Sequence, residues 1–466
     1  MCYTGVMNGA REMGRYFTPE PVVGLCYRML RMLDPETRNP RIIDPACGEG
    51  AFLSHALANG ITTPDRLFGI EKDPEVASGW RLPCPNLFVR NGLLSAAEYP
   101  DASFDWVAGN PPFGTRCLEA ADVGVLQDCL TIWREAGRES LTSAYPIEIL
   151  FLERFLQLAK PSGYVAIVVP DGILANERLS YVREWLMSRA EVKAVVSLPQ
   201  HIFRRGGASS KSSILLLRSL PHQPSPVLMA AVDGRSSWTV FAVEGLSPGE
   251  RLDPAYHHPK YVENARFLET LPNTVRFGDL IEYTTYGAVG SREYTASGVR
   301  LITPASFVMT EDGYASGLDM RNPGRFVAPG SRNDPARSRL RQGDLLFANS
   351  GVGCIGRAAV FHGDEPCNIS QHVNLIRVKS VEPEYLAVYL QTRFARLQIA
   401  REKCGVGACG INFDRIRSLL MPMPTAEIRA KIASEYRRSP SGIRALVGNL
   451  EAWIRKKDAC RVAQQA

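Results

Sequence analysis

The chain has 466 residues, 45% of them hydrophobic, with 54 Lys+Arg against 48 Asp+Glu for a net charge of +6. That length exceeds one ordinary domain and predicts two or three, each with enough apolar residues for a real core. No run of about 18 apolar residues occurs, so no helical membrane span is expected. The charge is uneven. Residues 1–220 hold 23 Lys+Arg and 24 Asp+Glu, which leaves 31 against 24 for residues 221–466. A surplus of +7 in the second part suits a polyanionic partner docking there. The eleven cysteines are scattered without a framework and read as reduced thiols, and Met1 to Arg15 lacks an apolar signal core, so a cytoplasmic chain is expected.

In chain order, the first signal is Thr18-Pro19-Glu20. A hydroxyl cap followed by proline predicts a helix start, and the helix is expected from Val22 to Leu33. Next, Arg41-Ile42-Ile43-Asp44 reads as a short strand ending in an acid, followed by the turn Pro45-Ala46-Cys47-Gly48-Glu49-Gly50 and a second helix. Glycines let the backbone adopt φ > 0 and approach a ligand closely. This is the first strand-to-helix turn of a dinucleotide-like fold, without the Lys-Ser/Thr that would hold a triphosphate. A second strand, Arg66 to Ile70, ends at Glu71, about 20 residues past the glycines, where such folds place an acid on a ribose hydroxyl. A third, Leu87 to Arg90, ends at Asn91, whose amide oxygen suits an adenine edge.

The fourth strand, Phe104 to Ala108, runs into Gly109-Asn110-Pro111-Pro112-Phe113-Gly114. Two prolines fix φ twice and remove two backbone donors, while their carbonyls and the Asn110 oxygen remain acceptors. A rigid, acceptor-rich corner with an aromatic face suits a planar substrate carrying an amino group. Asn110 and Pro111 supply the acceptors, Pro112 the stiffness and Phe113 the stacking face. Four strand ends thus converge on one edge of a parallel sheet, the expected place for ligands in an open α/β fold.

Taken together, Thr18-Pro19, Asp44 to Gly50, Glu71, Asn91 and Asn110 to Phe113 resemble the S-adenosylmethionine-dependent adenine-N6 DNA methyltransferases, in the arrangement where the cofactor motifs precede the recognition domain. The resemblance implies S-adenosyl-L-methionine as cofactor, S-adenosyl-L-homocysteine as product and no metal. It places Thr18 and Asp44 near the methionine end, Glu71 on the ribose, and Asn91 and Phe113 around the rings, with Pro19, Ala46, Gly48, Gly50 and Asn110 also among the cofactor-binding residues. Asn91 stands where the family often has Asp. The implied substrate is an adenine flipped out of double-stranded DNA, with Phe203 as a second aromatic contact. Arg204, Arg205 and Lys211 are candidates for phosphate contacts.

Further strands are expected at Tyr164 to Val169, Val192 to Leu198, Ser213 to Leu217 and Val227 to Val232, with helices over Tyr145 to Leu158 and Ser180 to Ser188. Residues 235–270 carry few strong patterns. From Arg276 the texture changes to short strands and Gly-rich turns, including Gly343-Asp344-Leu345-Leu346 with its Gly-dense sequel, and a helix from Pro383 to Leu397. This order resembles one target-recognition half of the specificity subunits of type I restriction systems. The resemblance implies sequence reading, with Asn349, Gln371 and Asn374 as candidates for base edges and Arg292, Arg300 and Arg357 for phosphates or guanines. Past Pro424, Ile428, Ile432, Ile443, Leu446, Leu450 and Ile454 follow helical spacing. They either pack on their own domain or form an exposed stripe pairing two copies into a homodimer. Cys354, Cys367, Cys404 and Cys409 lack the spacing of a zinc site.

The expected fold class is α/β, a Rossmann-like methyltransferase sheet (residues 1–245), a connection (246–274), an α+β target-recognition domain (275–424) and a helical segment (425–466). The expected function is site-specific adenine methylation of double-stranded DNA without cleavage, and with no obligatory restriction subunit or membrane. Methylation of RNA or of a release-factor glutamine, which also offers a planar amino group, stays open. So does a catalytically silent DNA-binding module.

Overall fold

Short apolar runs bounded by turn residues do become strands. The computed structural model describes residues 18–114, 118–199, 202–203, 211–220, 225–233, 237–288, 293–320, 325–351, 353–403 and 410–465. It divides into one unit ending at His258 and a second beginning at Pro259. The division falls inside the stretch 246–274 that the sequence marks as a connection.

In the first unit, strands β1 (Ile42–Asp44), β2 (Leu67–Glu71), β3 (Asn86–Val89), β4 (Phe104–Gly109), β5 (Ala159–Pro170), β6 (Glu191–Ser197), β7 (Ser212–Arg218), β8 (Val227–Asp233) and β9 (Ser237–Val243) form one nine-stranded sheet. The spatial order is β3-β2-β1-β4-β5-β7-β6-β8-β9. The first five strands are parallel, and β7 runs antiparallel to both its neighbours. Such strands are covered on both faces, hence the near-continuous burial of β4. One apolar cluster holds Ile43, Val107, Phe155 and Leu215, and another holds Tyr27, Phe52, Trp106 and Leu216. Alternate residues of one strand enter opposite clusters, as the pleat demands.

Helices α1 (Glu20–Leu33), α3 (Ile147–Leu158) and α4 (Ser180–Arg189) lie close to their expected bounds, and α2 (Ala51–Ala58) follows the glycine turn as expected. Two readings need correction. Thr18 does not cap α1, since Pro19 occupies the cap position without a side-chain bond. Residues 235–270 are not mere connection: they contain β9 and a helix over Pro259–Thr270. β9 is an edge strand with a half-buried face of Thr239, Phe241 and Val243, but its exposed positions include Trp238 and Val240, so apolar residues on both faces hide the two-residue period.

The second unit is built from short strands. β10 (Thr274–Arg276), β11 (Ile281–Tyr286), β12 (Val299–Ile302), β13 (Phe307–Met309), β14 (Ala315–Leu318), β15 (Arg325–Val327), β16 (Leu345–Ala348), β17 (Ala358–Val360), β18 (Cys367–Ile369), β19 (Val373–Val378) and β20 (Leu420–Pro422) form four small sheets. The largest has the order β11-β19-β16-β17, all antiparallel. Helices α5 (Pro383–Tyr389), α6 (Arg393–Glu402), α7 (Ala426–Arg438) and α8 (Ile443–Gln465) follow. The single helix expected from Pro383 to Leu397 is therefore two. Buried Gln391 leaves the helix to bond both backbone groups of Ala315, and Thr392 restarts it by accepting from the Ala395 N–H.

The apolar stripe of the C-terminal helices is not an exposed pairing surface. Ile432, Ile443, Leu446, Leu450 and Ile454 are buried in the second unit's own core. Leu450→Ala is expected to destabilise this unit by about 2–5 kcal/mol through the cavity it leaves. Urea unfolding followed by light scattering tests this: the midpoint should fall while the molar mass of the folded protein stays unchanged.

Candidate active site

The chain runs outward from β1 to β3, then returns to β4 on the other side of β1, so the strand order reverses between β1 and β4. At that point the C-terminal ends of open α/β sheets leave a crevice. Asp44 ends β1 on one side of it and Asn110 follows β4 on the other.

Asp44 is buried, and its Oδ1 accepts the Ala46 N–H at 3.0 Å. A Cβ on Gly109 would lie 2.4 Å from that oxygen, so only glycine leaves room for the carboxyl between the strands. Burial pushes the Asp44 carboxyl up to about 8, opposed by the Ala46 N–H and reinforced by the Glu71 charge. In the fold it is therefore largely protonated at neutral pH, whereas in the unfolded chain it ionises near about 4. Its contribution to stability is full below that lower value and declines as pH rises toward about 8. The limiting slope is about 1.4 kcal/mol per pH unit. Urea midpoints measured from pH 5 to 8 should fall for the wild type, and Asp44→Asn should flatten that fall.

The glycine turn is clamped on both sides of one residue. Gly48 and Gly50 have φ of 55° and 87°. The Gly48 N–H donates to Glu71 Oε2 at 3.0 Å, and the Gly48 carbonyl accepts from the Trp80 indole at 2.8 Å. Glu71 Oε1 also accepts the Asp73 N–H at 2.8 Å. A Cβ built on Gly48 meets nothing within 4 Å, so this side of the turn is open. Trp80 escapes a sequence reading because nothing in its surroundings marks it. At the end of β3, Asn91 Oδ1 accepts the Leu93 N–H at 3.1 Å, and its amide donates to Asp122 at 2.9 Å. Asp122 also pairs with Lys72 at 2.6 Å. The Asn91 oxygen thus already has one partner and keeps a single lone pair for a ligand.

The corner after β4 is held from two directions. The Asn110 side-chain amide donates to Thr18 Oγ1 at 3.0 Å, across 92 positions of sequence. This contact, rather than a helix cap, is what Thr18 provides. The other Asn110 atom, Oδ1, is buried and has no hydrogen-bond partner. Pro111 is buried, whereas Pro112 and Phe113 are half-buried, and Phe113 packs against the apolar cluster under the corner. The Gly114 N–H donates to Glu148 Oε2 at 2.8 Å, and the Gly114 carbonyl accepts from the Ile147 N–H at 3.1 Å. The start of α3 therefore fixes the far end of the corner. Burial raises the Glu148 carboxyl against the lowering effect of the Gly114 N–H. Sequence reasoning did not single out Glu148.

Phe203 is only 5% exposed and lies in the same cluster against which Phe113 packs, so its ring is core rather than an open platform. Of the cationic candidates, Lys211 pairs with Asp171 at 3.2 Å. Arg300 pairs with Glu365 at 3.2 Å and lies over the Phe326 ring. The Arg357 guanidinium bonds the carbonyls of Pro304 and Gly353. Asn374 is buried and holds Asn349, so it is a supporting residue rather than an exposed base contact. Arg204, Arg205 and Arg292 lie outside the described residues, as do Cys404 and Cys409. Among the described residues, no group of three or more His, Cys, Asp or Glu side chains could hold a metal ion, and no helix is long and apolar enough to cross a membrane.

The sheet and its crevice define a methyltransferase-type α/β unit followed by a second, α+β unit. Residues 6–235, just under half of the chain, match the family model described as N-6 DNA Methylase. The chain is 26% identical over 226 residues to the type I restriction enzyme EcoEI methylase subunit of Escherichia coli, covering 42% of this chain and 41% of that one. It is 29% identical over 185 residues to the type II methyltransferase M.TthHB8I of Thermus thermophilus, covering 38% and 39%. The chain thus spans about two fifths of the length of each of these relatives. Among solved structures, it is similar in fold to a chain of the DrdV–DNA complex determined by electron cryomicroscopy. That likeness has a TM-score of 0.55 and 11% identity, over 93% of this chain and 58% of that one.

Proposed function

We propose that this chain is a site-specific DNA methyltransferase that modifies N6 of an adenine in double-stranded DNA. The observation that carries the reading is Asn110 Oδ1, a buried acceptor without a partner at the crevice, followed at once by Pro111, Pro112 and Phe113. An unpaired buried acceptor costs about 1–3 kcal/mol, and a donor brought by the substrate relieves it. The match to N-6 DNA methylases and the relatives named for methylation support the same reading.

The residues present fit S-adenosyl-L-methionine. Buried Asp44 and half-buried Thr18 stand at the crevice for its methionine end, the open face of Gly48 admits it closely, Glu71 takes the ribose hydroxyls and the remaining lone pair of Asn91 takes the ring. When bound, the cofactor supplies an electrophilic methyl carbon and leaves as S-adenosyl-L-homocysteine. The adenine amino nitrogen is a poor nucleophile because its lone pair is delocalised into the ring. Asn110 Oδ1 and the Pro111 carbonyl each accept one of its N–H bonds, which favours a pyramidal nitrogen with an exposed lone pair. Pro112 keeps the two acceptors in fixed relation, and Phe113 stacks on the base. Acceptors fixed in advance face the positive charge that develops on the nitrogen, so positioning and electrostatics supply most of the rate. A departing proton goes to water, and no strong base is required. A base inside a stacked duplex cannot reach such a corner, so the adenine is flipped out. The second unit, with 29 Lys+Arg against 20 Asp+Glu, reads the surrounding sequence.

The test offers tritiated cofactor to the purified chain with duplex DNA, RNA or a release factor, and then identifies the labelled product by mass spectrometry. N6-methyladenine in duplex DNA alone is the expected result. Label in RNA or in a glutamine side chain replaces the substrate. Failure to bind the cofactor in calorimetry favours a silent DNA-binding module.

A further inference from the structure

The four strands of the largest sheet in the second unit bring polar residues to one end. Asn349 follows the last residue of β16, His372 precedes the first of β19, Arg357 precedes the first of β17, and Tyr286 closes β11. Tyr286 is 40% exposed and stacks on Phe413 with ring centroids 5.6 Å apart. At this end a chain of side-chain hydrogen bonds has a direction that chemistry dictates.

Ser350 Oγ lies 2.7 Å from Asn349 Oδ1 and 2.8 Å from His372 Nδ1. A carbonyl oxygen only accepts, so the single Ser350 proton points to Asn349. Ser350 must then accept from His372, which places a proton on Nδ1. The Gln371 amide nitrogen sits 3.2 Å from Nε2 of the same ring and donates to it. Asn349 in turn donates to the Gln371 carbonyl at 3.2 Å and to Asn374 Oδ1. These contacts are mutually consistent, and they hold the Gln371 carboxamide with its nitrogen toward His372 and its oxygen away from it. Gln371 Oε1 is buried without a partner, an acceptor that needs a donor from outside the chain.

We infer that Gln371 is a specificity-determining residue that reads an adenine in the major groove, with Oε1 accepting from N6–H and the second amide hydrogen donating to N7. The inference rests on the DNA reading proposed above. The pairing follows from the edges that bases present. Adenine offers a donor beside an acceptor, guanine two acceptors, thymine one acceptor and a methyl group, and cytosine one donor. Only the adenine edge meets both halves of a carboxamide held this way round. The hydrogen-bond chain makes the preference sharp, because an amide free to turn over would read either pattern.

The experiment maps methylated sites after the full-length protein acts on a duplex DNA library of randomised sequence. Wild type is expected to require adenine at a position other than the methylated one. Gln371→Ala should relax that position by roughly 5- to 150-fold and leave the others unchanged. Ser350→Ala, which unlocks His372 without touching Gln371, should loosen the same position by less. A purely structural role would lower methylation at every site equally and leave the base profile intact, and that result overturns the inference. So does relaxation at a position where wild type prefers another base. If Gln371→Ala melts early, the Ser350→Ala profile decides. A wild type that modifies no library member brings down the DNA reading itself, and this inference with it, whereas an unchanged Gln371→Ala profile brings down the inference alone.

Discussion

Asn110→Ala is expected to lower the rate of methyl transfer by about 10²–10³-fold, the size of effect seen when one preorganised group facing transition-state charge is removed. The lost atom is Oδ1, which has no partner within the chain, so no folded-state hydrogen bond disappears with it. The amide bond to Thr18 is lost as well, and that tether joins the corner to the segment just before α1. Thr18→Val, assayed at saturating cofactor because Thr18 also stands at the proposed methionine end, separates the two effects. It removes the tether, keeps the acceptor, and should reduce the rate far less. Cofactor affinity by calorimetry should stay nearly unchanged in Asn110→Ala, because the Asp44 and Glu71 contacts to the glycine turn do not involve the corner. Single-turnover rates close to wild type in Asn110→Ala would remove the amino-group assignment.

Gly92→Ala should be among the most destabilising single methyl additions in the first unit, at about 3 kcal/mol. A Cβ there would sit 1.8 Å from the Pro45 carbonyl oxygen and 2.8 Å from its carbon, both backbone atoms. Neither side is free to retreat. The glycine turn beyond Pro45 is pinned by the Cys47 N–H on Ile70 and by Gly48 on Glu71. The Gly92 carbonyl is held by fully buried Arg154 at 3.2 Å, and Arg154 also pairs with Asp101 at 2.6 Å. The addition therefore forces the end of β3 away from the glycine turn, and, on the proposed reading of that turn, cofactor binding should fall along with stability. Gly124→Ala is the control. Gly124 lies in the helix Ala120–Cys129, its added Cβ meets nothing within 4 Å, and helix propensity predicts a small gain. Thermal melting of the two variants beside wild type reads both signs at once.

The strand ends that build the crevice are legible residue by residue, because each sits where a short apolar run meets an acid, an amide or a glycine turn. Asp44, Glu71, Asn91 and Asn110 all follow that rule, and they stand at the ends of the four neighbouring strands β1 to β4. Where the pattern is local, propensity and spacing carry the answer. They fail where a distant partner decides. The helix expected to run on from Pro383 breaks because buried Gln391 finds the backbone of Ala315, 76 positions away. The stripe on the C-terminal helices has the same spacing whether it packs inward or pairs two copies, and only the second unit's core shows that it packs inward.

By itself, the amino-acid sequence determined the class of fold, the acid and glycines of the turn after β1, and the rigid proline corner after β4, since those depend on backbone stereochemistry within a few residues. Tertiary structure alone decided that Thr18 serves Asn110 rather than a helix, that Trp80 and Glu148 brace the site, and that Gln371 rather than Asn374 keeps an unused acceptor. Hydrogen-bond saturation is a property of neighbours in space, and residues tens of positions apart along a chain carry no mark of which neighbours they will meet.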